Sequence, residues 1–298
     1  MDEKRHDMSR RHPQPSRRSR RAALTIAGAT ALAAIAAPAL AAGVSGDGKT
    51  TTSAVSTPSS AAKPTVLLVH GAWADSSSWS PVIDRLQGQG YPVQAIANPL
   101  RGLSSDAAYL KSRIKSIEGP VVLVGHSYGG SVISEAAARE PNVKALVYVA
   151  AFAPAAGEST GTLAAKDPGS HATPDVLNPV PFDRGNGTDG TDIYIKPDKY
   201  RDVFAASLPQ KRANSLAAVQ RPINAAALEE TATDAAWKEL PSWYLVTRQD
   251  HALPPATQRF MAKRAHAHTA EVSAPHAVML TRPDAVTNLI RHAATATR

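Results

Sequence analysis

From residue 65 onward, short apolar runs alternate with longer stretches in which apolar positions recur every three or four residues. The runs at residues 65–70 (TVLLVH), 92–97, 121–125 (VVLVG), 145–150 (ALVYVA), 243–247 and 270–273 predict strands. Because they are apolar throughout rather than at every second position, they suit strands buried on both faces, as in a parallel sheet. The stretches at 78–89, 105–117, 128–139, 255–265 and 283–293 predict helices, the third stopped by Pro141. Strand and helix in alternation give an α/β class fold, a mostly parallel sheet with helices on both faces.

One connection breaks this rhythm. Residues 154–240 carry no strong strand pattern, opening polar and rich in Gly and Pro before helical pieces at 199–207 and 210–219. An insertion of this length in a compact domain is usually functional, so residues of about 155–240 are expected to form a lid over the carboxyl edge of the sheet.

Charge and composition change the picture mainly at the start of the chain. Of the 33 Lys and Arg and 25 Asp and Glu in 298 residues, eight basic and three acidic side chains precede residue 22, so five of the eight net positive charges belong to the leader. The remainder is close to neutral, which removes the case for a nucleic-acid partner. Residues 1–41 read as an export signal: a basic segment ends in Ser19-Arg20-Arg21, an uncharged Ala-rich stretch follows, and Ala39-Leu40-Ala41 offers a cleavage site. The paired arginines suggest the twin-arginine route. Weakly apolar Ala and the late Pro38 favour a cleaved signal over a retained anchor, so no stable membrane association is expected after its removal. Residues 42–62, rich in Ser, Thr, Ala and Gly, read as a flexible linker, and residues 63–298 as the folded domain. The absence of cysteine excludes disulfides, thiolate metal sites, iron–sulfur clusters and a cysteine nucleophile.

Gly125-His126-Ser127-Tyr128-Gly129 follows a predicted strand and opens a predicted helix, the setting in which G-x-S-x-G forms a nucleophile elbow. A serine hydroxyl is a weak nucleophile and needs a base oriented by a carboxylate. Asp250 follows the strand at 243–247 and is the leading acid. Asp234 falls in the lid and Asp284 at the start of the last helix, so either would need an unusual path. His276, in the loop after the last strand, is the leading base. His266 and His268 are spaced to share a metal but lack a third ligand in sequence, so no metal is expected, while His251 and His292 read as packing and surface residues. Gly71, in His70-Gly71-Ala72-Trp73, lets the chain turn at a strand end. The backbone N–H groups of Ala72 and Tyr128 are then the expected oxyanion donors. Gly71 and Trp73 are substrate-binding candidates. Trp79 and Tyr128 fit an acyl pocket or the core.

LLVHGAW, VGHSYGG, the Asp250-His251-Ala252-Leu253-Pro254 segment and PHAVMLTRP, in this order and spacing, resemble the α/β-hydrolase superfamily. The resemblance is to the branch of plant methylesterases, hydroxynitrile lyases and bacterial esterase-like proteins. It runs from about Lys63 to the C-terminus and implies an eight-stranded sheet, a helical cap, no cofactor, and Ser127, Asp250 and His276 as the catalytic set. The leader and linker depart from the plant pattern. The expected activity is hydrolysis of a small carboxylic ester or lactone through an acyl-enzyme. A hydroxynitrile lyase, a cofactor-free oxidative enzyme or a non-catalytic ligand-binding protein stays open on the same scaffold. The resemblance implies that the lyases carry a Thr where Gly71 stands and a lid Lys, for which Lys166, Lys196, Lys199 and Lys211 are available. Oligomeric state leaves no mark on the sequence.

Overall fold

All six apolar runs pair into one sheet. The structure, a computed structural model, describes residues 62–185 and 188–297. The expected export signal and, apart from Ala62, the expected linker lie outside them. The strands are β1 (Thr65–Val69), β2 (Val93–Ile96), β3 (Val121–His126), β4 (Val143–Val149), β8 (Ser242–Thr247) and β9 (His268–Val272), in the order β2-β1-β3-β4-β8-β9 and parallel throughout. Central residues such as Leu67, Leu123 and Val147 are fully buried, as their unbroken apolarity requires. The sheet has six strands among the described residues, not the eight that the resemblance implied. Among the described residues the edge beyond β2 gains no partner.

Helices α1 (Ser80–Gly88), α2 (Leu103–Lys115) and α3 (Tyr128–Ala136) fill the crossovers between the first four strands. Later, α8 (Pro255–Arg264) packs on β8, while α9 (Val278–Thr281) and α10 (Pro283–Ala296) close the chain. The α10 helix packs on α1, β4 and β8, and α2 packs on α3, giving the two helical layers expected of a parallel sheet. His268 opens β9 instead of preceding the strand, with its ring stacked on Trp243 at 4.9 Å.

The lid is not purely helical. It holds α4 (Thr160–Ala164), α5 (Tyr200–Phe204), α6 (Gln210–Ala218) and α7 (Ala225–Glu229), together with an antiparallel sheet of β5 (Leu177–Asp183), β6 (Asp189–Ile195) and β7 (Ile223–Asn224). Two features hid this sheet from the sequence pattern. Pro179 and Pro181 interrupt β5, which is tolerated because β5 is an edge strand. The ribbon is also largely solvated, so its side chains lack an apolar alternation.

Candidate active site

The sheet delivers Ser127 at the carboxyl end of β3. Between β3 and α3 the chain reverses within one residue, and Ser127 takes φ 53° and ψ −127°, a region that side chains rarely occupy. The conformation is held because the Ser127 carbonyl accepts from the N–H groups of Gly130 (2.9 Å) and Phe152 (3.1 Å). Gly125 is required one turn earlier, since a Cβ there would lie 2.6 Å from the Gly129 carbonyl oxygen. The elbow thus lifts a polar side chain off the end of a fully buried strand.

Asp250 and His276 meet at the same edge. His276 Nδ1 donates to Asp250 Oδ2 at 2.8 Å, and both side chains are buried. Asp250 is held from several sides: Oδ1 accepts from the N–H groups of Ala252 and Leu253, and Oδ2 from Thr247 Oγ1 and Gln258 Nε2, all at 2.8–2.9 Å. Gln258, on α8 and fully buried, also donates to the Leu253 carbonyl and accepts from the Thr247 N–H. A carboxylate with this many donors is fixed in place. With Nδ1 committed, His276 Nε2 is buried and has no partner. It is an acceptor facing the cavity that Ser127 also lines.

Two further histidines brace these parts. His126 Nε2 donates to the His276 carbonyl at 3.0 Å, and the two rings lie 4.6 Å apart. Complete burial, aided by the nearby His276, drives the His126 pKa well below its ordinary value, so His126 is a neutral packing group rather than a second base. His70 Nδ1 donates to the Gly71 carbonyl (2.9 Å), and Nε2 accepts from the Asn98 N–H (3.1 Å). Protonation would set an N–H against another N–H. Burial accordingly lowers the His70 pKa to about 4, with the Gly71 carbonyl opposing.

This anchoring sets the loop after β1. A Cβ on Gly71 would fall 2.6 Å from Ser127 Cβ and 3.0 Å from the Tyr128 nitrogen, so only glycine lets the loop approach the elbow this closely. Neither Ala72 nor Tyr128 uses its N–H in a backbone hydrogen bond outside the regular elements. Trp73, at φ 60°, donates from Nε1 to the Ile193 carbonyl of β6 at 3.0 Å, and its own carbonyl accepts from Tyr200. It joins the loop after β1 to the lid.

Ser127 and His276 open into a cavity of about 310 Å³, whose floor includes Ala72, Trp73 and Tyr128 and whose lid wall includes Thr160, Ala164, Ala172, Pro174 and Leu228. Its volume is at the small end of the range for small-molecule sites, and no lining residue carries a formal charge other than the titratable His276. Tyr128 lines the cavity while its hydroxyl donates to buried Asp106 (2.9 Å). Trp79 lies in the core. The alternative acids are elsewhere: Asp234 pairs with Arg139 and Asp284 with Arg282. His266 and His292 are exposed. Gln258 and Asn98 carried no signal in the sequence, because their roles depend on neighbours that only folding brings to them.

Comparison with known proteins agrees with the fold. Residues 66–289 match the alpha/beta hydrolase family. An alpha/beta hydrolase, nvfD, of Aspergillus novofumigatus is 31% identical over 78% of this chain and 97% of its own length. Putative methylesterase 11 of Arabidopsis thaliana is 25% identical over 75% of this chain and 62% of its own. Among solved structures, a pyrethroid hydrolase from Sphingobium faniae superposes with a TM-score of 0.64 at 23% identity, covering 78% of this chain and 98% of that one. The family match extends over well more than half of the sequence and takes in Ser127, Asp250 and His276: the chain belongs to the α/β hydrolase family.

Proposed function

We propose that this α/β hydrolase is a serine esterase that cleaves a small, uncharged carboxylic ester or lactone through an acyl-enzyme. The observation that carries the reading is the chain from Asp250 Oδ2 to His276 Nδ1, with His276 Nε2 unpartnered in the cavity that Ser127 also lines. The hydrolase and methylesterase names of its relatives support the reaction class. The Ser127 hydroxyl attacks the ester carbonyl as His276 Nε2 takes its proton, and the N–H groups of Ala72 and Tyr128 hold the resulting oxyanion. Collapse breaks the bond to the leaving oxygen, which takes the proton from His276. Water, deprotonated by His276, then cleaves the acyl–Ser127 bond and restores the serine. Asp250 holds the imidazole tautomer and offsets the positive charge formed in both steps.

The cavity argues for an ester and against cyanohydrin cleavage. Gly71 has no hydroxyl to bind a cyanohydrin oxygen, and Lys166, Lys196, Lys199 and Lys211 are all absent from the lining. Lys166 lies over the Phe260 ring, and Lys196 donates to the Asp175 carbonyl. The uncharged walls favour an uncharged acyl group. The deciding experiment compares p-nitrophenyl acetate hydrolysis, fluorophosphonate labelling and cyanide release from mandelonitrile in one preparation. Ester cleavage and labelling are expected, and Ser127→Ala should abolish labelling and lower turnover by about 10⁴-fold or more. Near-normal hydrolysis by that variant, or cyanide release that outruns ester cleavage, overturns the proposal.

The same reading includes export. Residues 1–41 act as a twin-arginine signal and 42–62 as a tether, on the strength of Arg20-Arg21, the uncharged stretch after them and the Ala39-Leu40-Ala41 site.

A further inference from the structure

We propose that His171, Asp202 and His251 form a binding site for a divalent transition-metal ion of the zinc type, one that pins the lid to the loop carrying Asp250. The three residues come from separate parts of the chain: His171 from the lid loop before β5, Asp202 from α5, and His251 from the position after the acid. His171 Nδ1 lies 2.7 Å from Asp202 Oδ2, and His251 Nδ1 lies 3.3 Å from Asp202 Oδ1. One ligand atom from each residue falls within 4.8 Å of the others.

That spacing suits metal coordination. Bonds of about 2.0–2.2 Å from nitrogen and carboxylate donors put ligand atoms roughly 3.3 Å apart around a tetrahedral ion. The histidines are partly solvent-accessible and need only small side-chain rotations to reach it, and water can complete the shell. Two imidazoles and one carboxylate prefer zinc, copper or nickel over magnesium, which favours an all-oxygen shell. Without an ion, two rings 4.1 Å apart converge on Asp202, His171 Nδ1 on its carboxylate and His251 Nδ1 on its backbone carbonyl at 3.0 Å.

The backbone around the cluster is already joined across the same seam. His171 N–H donates to the His251 carbonyl (2.6 Å), and Ser170 Oγ donates to the Ala252 carbonyl (2.9 Å). Ser170, Ala172, Ala252 and Leu253 all line the cavity. A cation on His171 and His251 would therefore fix two segments of the cavity wall against each other, and the second of these also supplies the two amides that hold Asp250.

The test uses the full chain, without an added histidine tag, stripped by a chelator and titrated calorimetrically with Zn²⁺ and separately with Mg²⁺. One equivalent of zinc at micromolar affinity is expected, with no binding of magnesium. His171→Ala and Asp202→Asn should each weaken zinc binding by about tenfold or more. Amide hydrogen exchange at residues 169–173 and 251–253 should slow on zinc addition in the unaltered chain. Failure to saturate, equal binding of magnesium, a zinc equivalent that survives both variants, or unchanged exchange overturns the proposal. None of these readouts depends on turnover, so the result stands apart from the assignment of ester hydrolysis.

Discussion

At the scale of single residues, the site depends on groups that cannot move. Gln258 shows why. Its amide spans Thr247, Asp250 and Leu253, and so ties the end of β8 to the acid loop from the buried face of α8. Gln258→Met keeps the volume but leaves the Thr247 N–H and the Leu253 carbonyl without their side-chain partner, which costs about 1–3 kcal/mol for each group left unsatisfied. Misaiming of Asp250 and His276 should reach the chemical step, lowering kcat by about 10- to 100-fold with a smaller change in KM. Steady-state kinetics on a model ester check this, with circular dichroism to verify folding. An unchanged kcat would mean that the three remaining donors and His276 hold Asp250 without it.

At the scale of elements, many side chains join the lid to the rest of the domain, and Trp73 ties it to the loop beside Ser127. Trp73 reaches from the turn after β1 to the Ile193 carbonyl of β6, and Tyr200 of α5 returns a hydrogen bond to the Trp73 carbonyl. Trp73→Phe removes the first of these bonds while keeping an aromatic wall for the cavity. Losing one such bond is worth about 1 kcal/mol, or roughly fivefold in an equilibrium constant. KM should rise by about that factor with little change in kcat, and limited proteolysis within residues 177–195 should quicken. Proteolysis at the unaltered rate would show that Trp73 does not restrain the ribbon. The lid sheet is also where the sequence was least legible. An edge strand carrying Pro179 and Pro181 and a solvated partner leave no periodic imprint, whereas strands buried on both faces, such as β1 and β3, announce themselves as unbroken apolar runs.

At the scale of the whole molecule, buried neutral histidines make stability depend on pH. His70 has a folded pKa of about 4, below its value of 6.5 in the unfolded chain, and His126 is shifted in the same direction by burial. Between these values the unfolded chain binds protons that the folded one refuses, so this stability is fully present above about pH 6.5 and is lost as pH falls toward 4. His70 alone contributes about 3 kcal/mol across that window. Asp106, whose pKa is raised by burial, opposes the trend, so the clean measurement is a difference. The urea midpoint should fall between pH 7.5 and 4.5, and the fall should be smaller in His70→Asn. Equal falls in both proteins would remove His70 from the account. For the leader, Arg20→Lys with Arg21→Lys should block export, because the twin-arginine receptor reads paired guanidinium groups and not charge alone. Cell fractionation and N-terminal sequencing check this, with a mature start near Ala42 expected for the unaltered chain. The sequence by itself determined the six core strands, the helices between them, the turn at Ser127 and the placing of Asp250 and His276 in the loops after β8 and β9. These rest on local periodicity and on residue types that a tight turn or a strand end demands. Only the tertiary structure decided the six-stranded extent of the sheet, the antiparallel ribbon in the lid, the bracing by Gln258, His70 and His126, and the meeting of His171, Asp202 and His251. Each of these depends on contacts between segments far apart in the chain, and such contacts leave no pattern in the segments themselves.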